Sequence, residues 1–130
     1  MRLFQAQCFL ERSKNMHKDW QKTTQDLSAL MQEIGKNIPD VAKGFTQMAK
    51  GVNKDGALSH KHKELIALAI GISIRCDGCI AFHSKAAAEL GATREEFMEM
   101  LGVCMYMGGG PAYTYAAQAL EAFDSFSRQD

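Results

Sequence analysis

Proline occurs only twice in the 130 residues, at Pro39 and Pro111. An interior proline costs a helix about 3 kcal/mol, so its scarcity leaves long helices unopposed. A surplus of either charge is missing as well: 15 Lys+Arg face 15 Asp+Glu, for a formal net charge of zero. Affinity for nucleic acid comes mainly from Lys and Arg neutralising phosphates, and no basic block exists here to do so. Nucleic acid is therefore not an expected partner. Long apolar runs are lacking too. The longest, Leu65 to Ile74, spans ten residues, about half a bilayer crossing, and the first residues hold no sustained apolar stretch of the signal-peptide kind. A cytoplasmic protein without a membrane partner is expected. Finally, no segment alternates apolar and polar residues with β-branched enrichment, the mark of a half-buried strand.

What is present favours helix. Alanine, the best helix former, occurs 17 times, and the expected class is all-α. A chain of this length buries roughly 65–70% of its unfolded surface, enough for one core, so a single domain over residues 1–130 is expected. The punctuation predicts about six helices. The first runs from about Met16 to Ile34 and is closed by Gly35, which can adopt the left-handed cap. The second starts at Pro39, suited to a first helical position, and ends near Gly51. The polar turn Asn53-Lys54-Asp55-Gly56 follows. Ser59 can cap a third helix with Leu65, Leu68, Ala69 and Ile72 on its apolar face. Arg75-Cys76-Asp77-Gly78 interrupts it, and a fourth helix runs from about Cys79 to Leu90, stopping at Gly91. Thr93-Arg94-Glu95-Glu96 has the form of a capping box and opens a fifth. Gly108-Gly109-Gly110-Pro111 ends that helix and starts a sixth, reaching about Phe126.

The strongest chemical signal is Cys76-Asp77-Gly78-Cys79 with His83 four residues on. If Cys79 opens a helix, His83 lies one turn along on the same face, and Cys76 is near enough to bridge Cys79. The helix N-terminus carries about half a positive charge, which together with a nearby imidazolium favours a thiolate. A reactive cysteine needs that charge and a second sulfur to trap the oxidised one. Glu64 lies twelve positions before Cys76. In a helical hairpin it would come beside His83 and orient the imidazole, as the third member of a catalytic triad does; taken alone it reads as a solvated helix residue. Two other readings compete. Cys76, Cys79 and His83, with His60 or His62, would give a zinc ligand set. A buried, inert pair is the plain alternative, since free cysteine is usually core. His60 and His62 are expected to face solvent, and the methionines at 98, 100, 105 and 107 to fill core or interface. Cys104 is expected in the core, and Cys8 to be incidental. Gly108–Gly110 lacks the Lys-Ser/Thr of a phosphate-binding loop.

Glu64, Cys76-Asp77-Gly78-Cys79 and His83, followed by Gly91-Ala92 and the Gly108–Ala112 turn, resemble the AhpD-like (alkylhydroperoxidase D) branch of the carboxymuconolactone decarboxylase family. The resemblance covers about residues 58–126. It implies an all-helical protomer assembled as a homotrimer or homohexamer, acting as a thiol-dependent peroxidase on hydroperoxides. Cys79 would be the attacking cysteine, Cys76 its proton donor and resolving partner, and His83 with Glu64 the proton relay. An external dithiol, a lipoyl protein or a thioredoxin-like reductant, would recycle the pair, and no cofactor or metal is called for. In one departure, Gly78 stands where the mycobacterial-type enzyme carries a histidine, so one relay member is absent. The family's lactone decarboxylases lack the cysteine pair, which disfavours that reaction here. The alternatives are a metal-binding or redox-sensing module without turnover, a thiol-disulfide reductase with weak peroxidase activity, and a structural oligomer. Helices rich in Ala, Met and Phe also carry more apolar face than one small bundle needs; the Met98–Met107 stretch and the Tyr113–Phe126 helix are the expected interfaces.

Overall fold

The computed structural model describes residues 16–127; Cys8 falls outside them. Five helices follow one another: α1 (Trp20–Asn37), α2 (Pro39–Val52), α3 (His60–Ser73), α4 (Asp77–Glu89) and α5 (Arg94–Ser127). No strand occurs among the described residues, so the all-α expectation holds. The expected fifth and sixth helices run on as α5, broken where the sequence placed the break. Gly109 there has φ 67° and ψ −150°, a region essentially reserved for glycine, and Pro111 follows at once.

The caps explain most boundaries. The Ser59 side chain accepts from the His62 N–H and opens α3. Thr93 and Glu96 form the reciprocal box: Glu96 N–H donates to Thr93 Oγ1 (3.1 Å) and Thr93 N–H to Glu96 Oε1 (3.2 Å). α4 closes on Gly91 at φ 79°, with Gly91 N–H donating to Ala88 O and Ala92 N–H to Ala87 O, the paired bonds that satisfy a helix's last carbonyls. Gly35 does not act as expected. α1 begins at Trp20, capped by Asp19, and passes through Gly35 to Asn37. The boundary falls at Ile38 (φ −131°, ψ 65°) because the residue before a proline is forced out of the helical region. Gly35 instead permits close approach, its Cβ position lying 3.5 Å from Ala42 Cβ.

Helices α3, α4 and α5 pack on one another, α1 lies across α4 and α5, and α2 leans on α1. The core holds Trp20, Leu68, Ile72, Ile80 and Phe97, all essentially without exposure. Each such aliphatic side chain contributes about 1.5–3 kcal/mol by leaving water. Phe97 and Phe123 stack with centroids 4.2 Å apart. Glu121 ties α5 to the start of α1, accepting from Trp20 Nε1 at 2.8 Å and from the backbone of His17 and Lys18. The Tyr113–Phe126 stretch turns its apolar face inward, burying Ala116, Ala119, Ala122, Phe123 and Phe126. That face contributes to this protomer's own core, while Tyr113 at the start of the stretch stays exposed. Tyr106 and Met107 do remain exposed, and α2 buries no residue, leaving Val41, Phe45, Met48 and Val52 in solvent. No helix among the described residues is long and apolar enough to cross a membrane.

Candidate active site

The α3–α4 hairpin builds the site. α3 ends at Ile74, and Arg75 makes the reversal with φ 57°, a left-handed conformation uncommon outside glycine. Cys76 N–H then donates to Gly71 O (2.9 Å) and Arg75 N–H to Ile72 O (3.2 Å). That turn places Cys76 at the N-cap of α4, which starts two residues before the expected Cys79. The Cys79 backbone N–H, in the first turn, donates to Cys76 Sγ (3.1 Å). Cys76 and Cys79 are joined as a disulfide with Cα atoms 5.2 Å apart. Both are half-buried and so open to a reactant, unlike Cys104, which is buried. Burial pushes the Cys104 thiol up, as expected of a core cysteine.

The hairpin brings the predicted pair together. Glu64 is 4% exposed, and its Oε2 lies 2.6 Å from His83 Nδ1. It is a buried charge with a partner and not the solvated helix residue its position alone suggests. With Nδ1–H donating to the carboxylate, His83 keeps Nε2 as its accepting nitrogen. Three further participants escaped the sequence reading. His60, expected to face solvent, is half-buried, and its Nε2 lies 3.3 Å from Glu64 Oε1; the i,i+4 spacing was the available signal. His62 is exposed, its ring 2.7 Å from Ser59 Oγ. Lys18 reaches Asp77, the residue after Cys76, at 2.6 Å. Gly71 lets α3 and α4 meet: a Cβ there would stand 2.9 Å from Cys79 Cβ.

The zinc arrangement does not assemble. His60 serves Glu64, and among the described residues no group of three or more His, Cys, Asp or Glu is placed to hold a metal ion. An apolar cavity of about 650 Å³ between α1 and α2 includes Met31, Ile34, Phe45 and Phe82 in its wall; Phe82 immediately precedes His83.

An all-helical protein with an accessible cysteine pair beside a buried carboxylate–imidazole pair is the class that fold and site define. Residues 39–122 match the model of the carboxymuconolactone decarboxylase family, and the chain belongs to that family. It is similar to the apo crystal structure of a carboxymuconolactone decarboxylase family protein from Legionella pneumophila. The TM-score is 0.82 and the identity 47%, over 84% of this chain and 97% of that one. An uncharacterised protein from Cupriavidus necator is 36% identical over 111 residues, 80% of this chain and 98% of its own length. Uncharacterised protein 4 of the cox locus of Paracoccus denitrificans is 37% identical over 97 residues, 75% of this chain and 87% of its own.

Proposed function

We propose that the protein is an AhpD-like thiol-dependent peroxidase. The observation that carries this reading is the Glu64–His83 pair at 2.6 Å, one helical turn from a cysteine already bonded to its neighbour Cys76. In the reduced protein, His83 takes the Cys79 proton, and the helix start supports the resulting anion. The Cys79 thiolate attacks the terminal oxygen of a hydroperoxide, the O–O bond breaks, and the alkoxide leaves as the alcohol after receiving a proton from the relay. Cys79 is then a sulfenic acid. The Cys76 sulfur attacks it, water departs with the Cys76 proton, and the disulfide forms. In sum, two thiols and one hydroperoxide give a disulfide, an alcohol and water. An external dithiol, of the lipoyl or thioredoxin-like kind, returns the pair to thiols by exchange.

Exposed apolar side chains on α2 and at Tyr106 and Met107 support self-association, since exposed apolar patches mark interaction surfaces; assembly as a homotrimer or homohexamer is what the family resemblance implies. The function is tested by following consumption of cumene hydroperoxide with dihydrolipoamide as reductant. Turnover that disappears in Cys79→Ser and Cys76→Ser is expected. Unchanged turnover in Cys79→Ser overturns the reading. Exchange with dihydrolipoamide but no consumption of peroxide identifies a thiol-disulfide reductase instead.

A further inference from the structure

We propose that His60 is a positioning residue for the Glu64–His83 pair, an inference that rests on the peroxidase reading and extends it. Glu64 is nearly sealed from water, so each carboxylate oxygen needs a protein partner. Oε2 has His83 Nδ1 at 2.6 Å and Oε1 has His60 Nε2 at 3.3 Å. Without His60, Oε1 is a buried acceptor with no other protein partner, a condition that leaves its desolvation uncompensated and that rotation of the carboxylate would relieve. Such a rotation takes Oε2 off His83.

Holding both oxygens stops it. The carboxylate stays between two imidazoles, His83 Nδ1–H stays committed to Oε2, and Nε2 remains the nitrogen left for the cysteine proton. His60 is itself held at the start of α3, where its backbone N–H donates to Asp55 Oδ1 (2.8 Å). The neighbouring cations are engaged elsewhere: Lys61 with Glu96, and Lys63 Nζ with the Lys54 carbonyl. His60 therefore supplies the donor on that side of the carboxylate. Its side chain is 31% exposed, so the positioning contact also links the buried carboxylate to solvent.

The test uses the full chain after reduction, with Cys79 alkylation by iodoacetamide at neutral pH and steady-state turnover of cumene hydroperoxide with dihydrolipoamide. His60→Ala is expected to slow alkylation and kcat by about three- to tenfold, the equivalent of one ordinary hydrogen bond, with KM little changed. His60→Gln, whose amide can donate to the same oxygen, is expected to recover most of the loss. Should His60→Ala not fold, His60→Leu, of comparable bulk and without a donor, takes its place. If Glu64→Gln slows alkylation while His60→Ala matches the wild type, the His60 proposal falls and the peroxidase relay stands. The proposal also falls if His60→Gln is as slow as His60→Ala. If neither Glu64→Gln nor His60→Ala has an effect, the relay reading falls and this inference with it.

Discussion

Lys18 Nζ lies 2.6 Å from Asp77 Oδ2, so the carboxylate set between the two cysteines in sequence is matched by a cation from the segment before α1. An unmatched Asp77 would repel an anionic sulfur at the start of α4, opposing the helix dipole. Lys18 is fixed from both sides: Glu121 accepts its backbone N–H at 3.0 Å, and its ammonium lies 5.5 Å from the Trp20 ring centroid.

Lys18→Met should therefore slow iodoacetamide alkylation of reduced Cys79. Both side chains are partly exposed, 34% and 47%, and a pair of that kind is worth about 0.2–1 kcal/mol. The expected loss is about two- to threefold at low salt, fading as added salt screens the pair. An equal rate for variant and wild type at low ionic strength would refute the electrostatic role.

Features governed by near neighbours in sequence could be read before the structure was known. Ser59, Thr93–Glu96, Pro39 and the glycine break at Gly109 act through bonds or dihedrals within a few residues. Glu64 and His83 were also legible, because a hairpin turning near Cys76 carries the two to the same level. Gly35 was misread because two local signals competed and the steric effect of Pro39 on Ile38 prevailed. Lys18 and Gly71 were not legible at all: one meets Asp77 across 59 positions, and the other matters through how closely two helices cross. His60 had the right spacing, but its contact with the carboxylate follows from the burial of Glu64, which composition does not reveal.

The capping box at α5 gives a pH-dependent contribution of known sign. The Lys61 ammonium, first, and the Thr93 backbone N–H hold the Glu96 carboxyl below its ordinary value of 4.5. A group whose acidity is increased by folding stabilises the folded state above its unfolded pKa, and that stabilisation is lost as pH falls through the folded value. The stability margin of wild type over Glu96→Gln is thus expected to be full at neutral pH and to vanish in acid. Urea unfolding at neutral pH and below the carboxylate range measures it; a margin that grows in acid contradicts the assignment. Thr93→Ala should cost about 1 kcal/mol at neutral pH.

Gly109 and Arg75 both have positive φ and call for opposite substitutions. Gly109 has open space around its Cβ position but a backbone that only glycine adopts freely. Gly109→Ala should accordingly destabilise by about 1–3 kcal/mol through strain alone. Arg75 already carries a side chain at φ 57°, where L-residues are disfavoured by about 1–2 kcal/mol. Arg75→Gly removes that strain but loosens the unfolded chain by about 0.4–1 kcal/mol, so a small net stabilisation is expected. Urea unfolding distinguishes the two, and a loss of stability in Arg75→Gly would show that the Arg75 side chain contributes contacts outweighing its backbone cost.

Gly71 and Cys79 define how near α3 and α4 can come. A methyl group at Gly71 would sit 2.9 Å from Cys79 Cβ, closer than two carbons tolerate, and neither neighbour is a flexible chain end. Gly71→Ala must then separate the helices at Cys79, a repacking that costs about 1–3 kcal/mol. The same displacement shifts α4 against α3, and with it the His83 ring against the Glu64 carboxylate. Activity should consequently fall by more than the lost stability accounts for at temperatures where the variant is still folded. Gly102→Ala supplies the contrast: its Cβ position has nothing within 4 Å, and alanine in a helix interior gains about 0.5–1 kcal/mol over glycine. Wild-type alkylation and turnover in folded Gly71→Ala would mean that the α3–α4 approach is a packing feature with no bearing on the chemistry of Cys79.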